Sequence, residues 1–156
     1  MAAMSDFLEN KIIDWFFRAQ ALGVTGASAA AGTGPTALFF GLYTTTPADA
    51  GGGVEVSGGS YARVSVTSGL TAYAGTQAAA STTASSGTNG TTSNNAPITF
   101  PPPTANWGSV VAFGIFDAIS GGNLLFWGAL ATAKTVNALD AAPSFAAAAF
   151  SLQIDN

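Results

Sequence analysis

Residues 6 to 19 carry apolar side chains at a helical period. Leu8, Ile12, Trp15, Phe16 and Ala19 fall at i, i+4, i+7, i+8 and i+11, and Ile13 and Phe17 widen that face. Lys11, Asp14 and Arg18 fall on the other side. Asp6 followed by Glu9 forms a D-x-x-E start, and Arg18 in the last turn complements the helix dipole. Gly23 is expected to end the element. Two roles fit the apolar stripe: packing on the chain's own sheet, or docking into a partner. Phe7, Leu8, Ile12, Trp15 and Phe16 are therefore the candidate assembly contacts.

Beyond this helix the pattern turns to short strands. Thr36 to Tyr43, Val54 to Val56 and Tyr61 to Thr67 read as strands separated by Gly and Pro turns. Ala96 to Phe100 is a strand stopped by three prolines. Ser109 to Ala118 and Asn123 to Ala131 form a hairpin around Gly121-Gly122. Bulky residues on both of their faces predict a central pair buried on both sides, with Lys134 to Val136 as a short edge strand. From Ser144 to Asp155, Ala148, Phe150, Leu152 and Ile154 alternate with Ser151, Gln153 and Asp155, which predicts one continuous last strand. Two stretches lack such a pattern. Residues 23–36 read as a Gly/Ala-rich linker. Residues 68–95 are Ser, Thr, Ala, Gly and Asn, either a mobile loop or a strip ordered by its neighbours. Shortening 80 to 95 is expected to leave the fold intact.

These elements predict a mainly β chain. The expected form is an antiparallel β-sandwich, jelly-roll-like as one variant, with an N-terminal α-helix. A helical segment spans 1–22, the linker 23–36, and the β domain 37–156 with the low-complexity loop 68–95 inside it. At 156 residues the chain fits one such domain.

Composition narrows the chemistry. The chain has no His and no Cys, and only 8% of its residues are charged. The usual general base and the thiolate nucleophile are thus missing. There is no S-x-x-K, no G-x-S-x-G and no P-loop sequence. Carboxylates are widely spaced and form no calcium-loop pattern, so no catalytic residue, cofactor or metal is expected. A net charge of −4 with four scattered basic residues argues against nucleic-acid partners. Apolar runs such as Leu124 to Leu130 are far too short to cross a bilayer, so no membrane partner is expected. No secretory signal pattern opens the chain. The Asn89-Gly90-Thr91 sequon is then a chance match, and assembly in the bacterial cytoplasm is expected. Two polar residues have local roles. Asp117 caps the hairpin turn, and Arg63 pairs with Glu55 or reaches an acidic neighbouring subunit. A weakly charged Ser/Thr/Gly/Ala surface favours association into a homo-oligomer.

Four segments together carry a resemblance: Ser5 to Trp15, Gly41 to Asp49, Glu55 to Val64, and Trp107-Gly108 with Phe113 to Asp117 running into Gly121 to Gly128. The Gly58-Gly59-Ser60-Tyr61-Ala62-Arg63 and Phe113-Gly114-Ile115-Phe116-Asp117 patterns are the most diagnostic. The chain resembles a family of small tailed-bacteriophage virion proteins, often labelled tail fibre proteins. That resemblance implies a structural subunit of the virion, contacting further copies of itself and other virion proteins. A tail-associated fibre or adaptor component is the leading expectation. A capsid decoration or cement protein is the chief alternative. A host receptor or glycan-binding module, with Tyr43, Tyr61 or Trp107 stacking on sugar rings, is the third.

Overall fold

The computed structural model describes residues 4–23, 34–76 and 81–154. Most of the 23–36 linker, four residues of the 68–95 tract and Asp155 lie outside the described residues. The elements are α1 (Asp6–Phe16), β1 (Ala37–Thr45), β2 (Val54–Glu55), β3 (Val64–Thr67), β4 (Thr91–Ser93), β5 (Ile98–Thr99), β6 (Gly108–Phe116), β7 (Leu124–Val136), β8 (Ser144–Phe145) and β9 (Ser151–Gln153). The chain is mainly β, in antiparallel sheets, with one N-terminal helix, as the pattern predicts. One sheet has five strands in the order β2-β1-β6-β7, with β3 also pairing β1. Two further sheets, β4-β9 and β5-β8, have two strands each. The residues gather into two compact units. One holds the described residues of 1–36, 67–98 and 145–156; the other holds 37–66 and 99–144.

In the second unit β1 and β6 run through the middle of the sheet, so β1 buries Leu38, Phe40, Leu42 and Tyr43 and β6 buries Val110, Ala112, Ile115 and Phe116. The expected doubly buried hairpin holds for β6 only. β7 is the edge strand, and most of its second half is exposed. It also absorbs the expected short strand at Lys134. Four residues lie between Ala129 and Lys134, opposite the single residue between Ala112 and Val110, and this bulge lets one strand continue to Val136.

In the first unit three expectations change. The helix starts one residue earlier in its capping: Ser5, not Asp6, is the N-cap, and its hydroxyl accepts from the Leu8 amide. It ends at Phe16, well before Gly23, because the backbone turns to a positive φ of 53° at Ala19. The last strand is broken in two. Ala148 takes a φ of 61°, and the chain loops between β8 and β9 around Asn94. Asn94 Nδ2 donates to the carbonyls of Ala96 and Ala146, and its Oδ1 accepts from the Phe150 amide at 2.9 Å. One buried side chain thus replaces ladder bonds that a continuous strand would have made.

The low-complexity tract is ordered by its neighbours. β4 lies within it and pairs with β9 in the register Thr91↔Gln153, Thr92↔Leu152, Ser93↔Ser151. Tyr73, Ala74, Thr92 and Asn94 are all buried. Shortening 80 to 95 therefore removes a strand and a core asparagine, contrary to the expectation from composition.

Candidate functional site

Helix α1 buries its polar side. Glu9, Asn10, Ile13 and Asp14 are buried, and Phe17 and Arg18 just past its end are fully enclosed. This reverses the placement of Asp14 and Arg18 on an outward face. Hydrophobic periodicity treats charge as solvent-seeking, but here Asn10, Asp14 and Arg18 each make hydrogen bonds inside the unit. Arg18 and Asp14, one helical turn apart, form an ion pair. Asp14 Oδ2 accepts from the Ser85 amide at 2.9 Å, and its Oδ1 from the Ser85 hydroxyl at 2.7 Å. Arg18 donates to the carbonyls of Tyr73, Ser81 and Thr83 and to the Ser85 hydroxyl. Asn10 Nδ2 donates to the Gly87 carbonyl at 2.8 Å. The Ser/Thr tract is short-chained and rich in acceptors, so it can close over charged groups that an apolar cover could not satisfy.

With the polar side turned inward, the candidate contacts look elsewhere. Phe7 is 59% exposed, with the Lys11 ammonium 5.7 Å over its ring. Leu8, Ile12, Trp15 and Phe16 are half-buried. Trp15 and Phe16 sit in a tilted ring pair at 5.9 Å, and Phe16 meets Phe17 edge-on at 5.2 Å.

In the second unit the two diagnostic patterns meet as one polar network. The Leu42 amide donates to the Tyr61 hydroxyl at 2.8 Å, and that hydroxyl donates to Glu55 Oε1 at 2.9 Å. Glu55 also accepts a bidentate pair from Arg63, Nε to Oε1 at 2.8 Å and Nη2 to Oε2 at 2.7 Å. The remaining guanidinium nitrogen, Nη1, donates to the carbonyls of Ala118 and Gly121. The guanidinium carbon lies 3.3 Å from the centre of the Phe116 ring. Glu55 and Arg63 therefore pair as the sequence indicates, and Arg63 also fixes the β6–β7 turn. Asp117 closes that turn: its two carboxylate oxygens accept from the Asn123 amide side chain at 2.6 Å and backbone amide at 2.7 Å. These bonds, the side-chain one first, hold its carboxyl below the usual value. The paired glycines have their own reason. Gly59 has a φ of 54°, and a Cβ there would stand 3.0 Å from the Trp107 indole nitrogen, which donates to the Gly59 carbonyl at 2.9 Å.

The aromatic residues nominated for sugar stacking are mostly used inside. Trp107 is 5% exposed, and Tyr61 stacks on Phe100 at 6.3 Å and meets Trp107 edge-on at 5.3 Å. Tyr43 is buried and stacks on Phe116. Beside these last two lies an open cleft of about 530 Å³, bounded by the turn at Ala48 to Gly52 and by Gly122, Asn123, Leu124, Leu125 and Trp127. Neither Trp127 nor Leu139 is singled out by the strand pattern. Leu139 is 89% exposed at a φ of 67°, held by its amide's bond to the Pro103 carbonyl at 2.8 Å. An isolated leucine between Asn137 and Asp140, in a polar turn, is the signal that could have marked it.

All three tyrosines have their phenols pushed above the ordinary 10.0, burial being the first cause in each. At Tyr43 the negative Glu55 adds to it, and at Tyr61 the Leu42 amide bond opposes it. The neutral phenol is the folded form, so this stabilisation is complete below pH 10 and is lost as pH rises above it. A base titration followed by phenolate absorbance is expected to show no independent transition near pH 10; ionisation should accompany unfolding at higher pH. A tyrosine titrating normally in folded protein would contradict the burial described.

No group of three or more His, Cys, Asp or Glu side chains that could hold a metal occurs among the described residues. No helix among them is long and apolar enough to cross a membrane. A family model described as podophage GP4 fiber I protein gp80 matches residues 3–153. The chain belongs to that family. No curated protein matches it. The gp80 match covers both units, so the helix with its tract cover and the Glu55–Arg63 network both lie within the family region. The resemblance read from the sequence is thereby shown, and family membership supports a virion structural or fibre-associated role.

Proposed function

We propose that this gp80-family chain is a non-enzymatic structural subunit of a podophage virion, a tail-associated fibre or adaptor component. The observation that carries the reading is the fibre family's match over residues 3–153. The chemistry supports it: a chain without His or Cys uses its two ion pairs, Asp14–Arg18 and Glu55–Arg63, to hold the fold. A β-sandwich of antiparallel sheets is the architecture proposed for this role. Partners are other copies of the chain and other virion proteins. Symmetry lets contacts that are weak singly hold together as a set.

Phe7, Leu8, Ile12, Trp15 and Phe16 form the proposed contact face, with Leu139 as a second apolar point. Phe7→Asp and Ile12→Asp are expected to lower the amount of chain in purified virions by at least about tenfold, a loss of roughly 1.4 kcal/mol of contact energy. The exposed Phe7→Asp chain should stay soluble and β-rich by circular dichroism. Quantitative mass spectrometry of particles, wild type beside variant, reads the result. Wild-type chain missing from washed virions would overturn the virion role; full incorporation of folded Phe7→Asp and Ile12→Asp would overturn the contact face alone.

A further inference from the structure

The Asn89-Gly90 pair differs from every other asparagine site among the described residues. The other asparagines hold the fold with their side chains. Asn10 and Asn94 donate to the Gly87 and Ala146 carbonyls, Asn95 to that of Leu70. Asn123 and Asn137 donate to Asp117 and Asp140, and Asn106 accepts from the Ala138 amide. The main-chain nitrogens that follow Asn94, Asn106 and Asn137 are committed too, since those of Asn95, Trp107 and Ala138 all donate hydrogen bonds. Asn89 is exposed, and its side chain is met by the Thr88 hydroxyl alone, which donates to its Oδ1 at 3.3 Å. Among the described residues neither its Nδ2 nor the next main-chain nitrogen, that of Gly90, makes a hydrogen bond. Gly90 is a buried residue, and the amide of such a residue is rarely left unengaged.

Packing fixes glycine at position 90. Its φ is 46°, and a Cβ there would strike the Ile154 carbonyl oxygen and stand 3.1 Å from the Glu9 Cβ. The missing side chain also leaves nothing on Gly90 to shield its nitrogen from the Asn89 side-chain carbonyl. The two atoms belong to adjacent residues, so ring closure between them needs no approach from elsewhere.

We propose that Asn89 is a self-modification site, converting in water to aspartyl and isoaspartyl forms. The Gly90 nitrogen forms a bond to Asn89 Cγ and loses its proton to water. The Cγ–Nδ2 bond breaks and ammonia leaves, which gives a five-membered succinimide. Water then opens the ring at either carbonyl. One opening gives aspartate; the other routes the main chain through Cβ and Cγ. One water is consumed, one ammonia is released and one negative charge is added. The isoaspartyl main chain is one carbon longer between two anchors of the tract. These are the Gly87 carbonyl, held by Asn10, and the Gly90 carbonyl, which accepts from the Ile154 amide at 2.8 Å. The altered link leads into β4, so the extra carbon works against the Thr91↔Gln153 register. The reaction is independent of the virion role and of the helix contacts proposed above.

The test is incubation of the folded full chain in neutral buffer, with peptide mapping by mass spectrometry at intervals. Asn89 should be the first asparagine to take the mass of aspartate, faster as pH is raised, and electron-transfer fragmentation should find isoaspartate there. Hydroxylamine added during the incubation should trap the succinimide at this link. Asn89→Gln, which would have to close a larger ring, should convert about tenfold more slowly or less. The isoaspartyl fraction, separated by ion exchange, should lose hydrogen-exchange protection at the Ile154 amide. Circular dichroism checks that the chain stays folded throughout. Asn89 intact in the folded chain while it converts in urea, another asparagine converting first, or no trapping by hydroxylamine at this link would overturn the proposal.

Discussion

Arg18→Ala is expected to destabilise the protein by about 3–5 kcal/mol, the cost of leaving a buried charge without its partner. Arg18 has a side-chain exposure of 0% and Asp14 one of 5%, so water cannot replace the lost guanidinium. Asp14 would keep its two bonds from Ser85 but lose its ion pair. Three carbonyls, of Tyr73, Ser81 and Thr83, would lose a donor at once. Chemical denaturation measures the change. Hydrogen exchange locates it: the Ser85 amide should lose protection first, since Arg18 holds the tract that carries it through the Ser81 and Thr83 carbonyls. Arg18→Lys should recover little, because a single ammonium cannot reach acceptors arranged for a planar fork. A loss below about 1 kcal/mol for Arg18→Ala would mean the pair is solvated and the tract is not held by it.

Arg63→Ala is the second large effect, expected at about 2–4 kcal/mol. The estimate sits below that for Arg18 because the Glu55 side chain is 26% exposed and keeps some access to water. The change removes a bidentate ion pair, two bonds to the β6–β7 turn and the cation over Phe116. Glu55 would retain only the Tyr61 hydroxyl as donor. Denaturation of Arg63→Ala, Glu55→Ala and the double variant separates the pair from the turn. If the pair dominates, the double variant should lose little more than the single. A strictly additive double variant would assign the cost to the turn carbonyls and the Phe116 ring.

The same two networks show what could be read from the chain alone. The hairpin from Ser109, the helix and the Glu55–Arg63 pair follow local rules: β-branched and aromatic runs, a capped amphipathic stretch, opposite charges flanking a turn. Each was legible because its partners lie near in sequence. The Arg18 network was not, since its acceptors are carbonyls at Tyr73, Ser81 and Thr83 in a tract whose composition looks like loop. Carbonyl acceptors leave no trace in residue identity. The break at Ala148 escaped for a related reason: the alternation through Phe150, Leu152 and Ile154 looks continuous, while Asn94, far away in the chain, supplies the bonds that bend it. Phe7 is among the residues nominated for contact, and it is exposed. The run from Asn123 places Trp127 in a doubly buried strand, because nothing in it says that β7 lies at the edge.

The virion role rests most directly on where the chain sits and in how many copies. Virions separated into heads and tails, with this chain quantified in each fraction by mass spectrometry, give both at once. The account predicts that it stays with the tails, at the low copy number that tail symmetry sets. Recovery with the heads, at a copy number matching the capsid lattice, would contradict the tail assignment and make it a decoration protein.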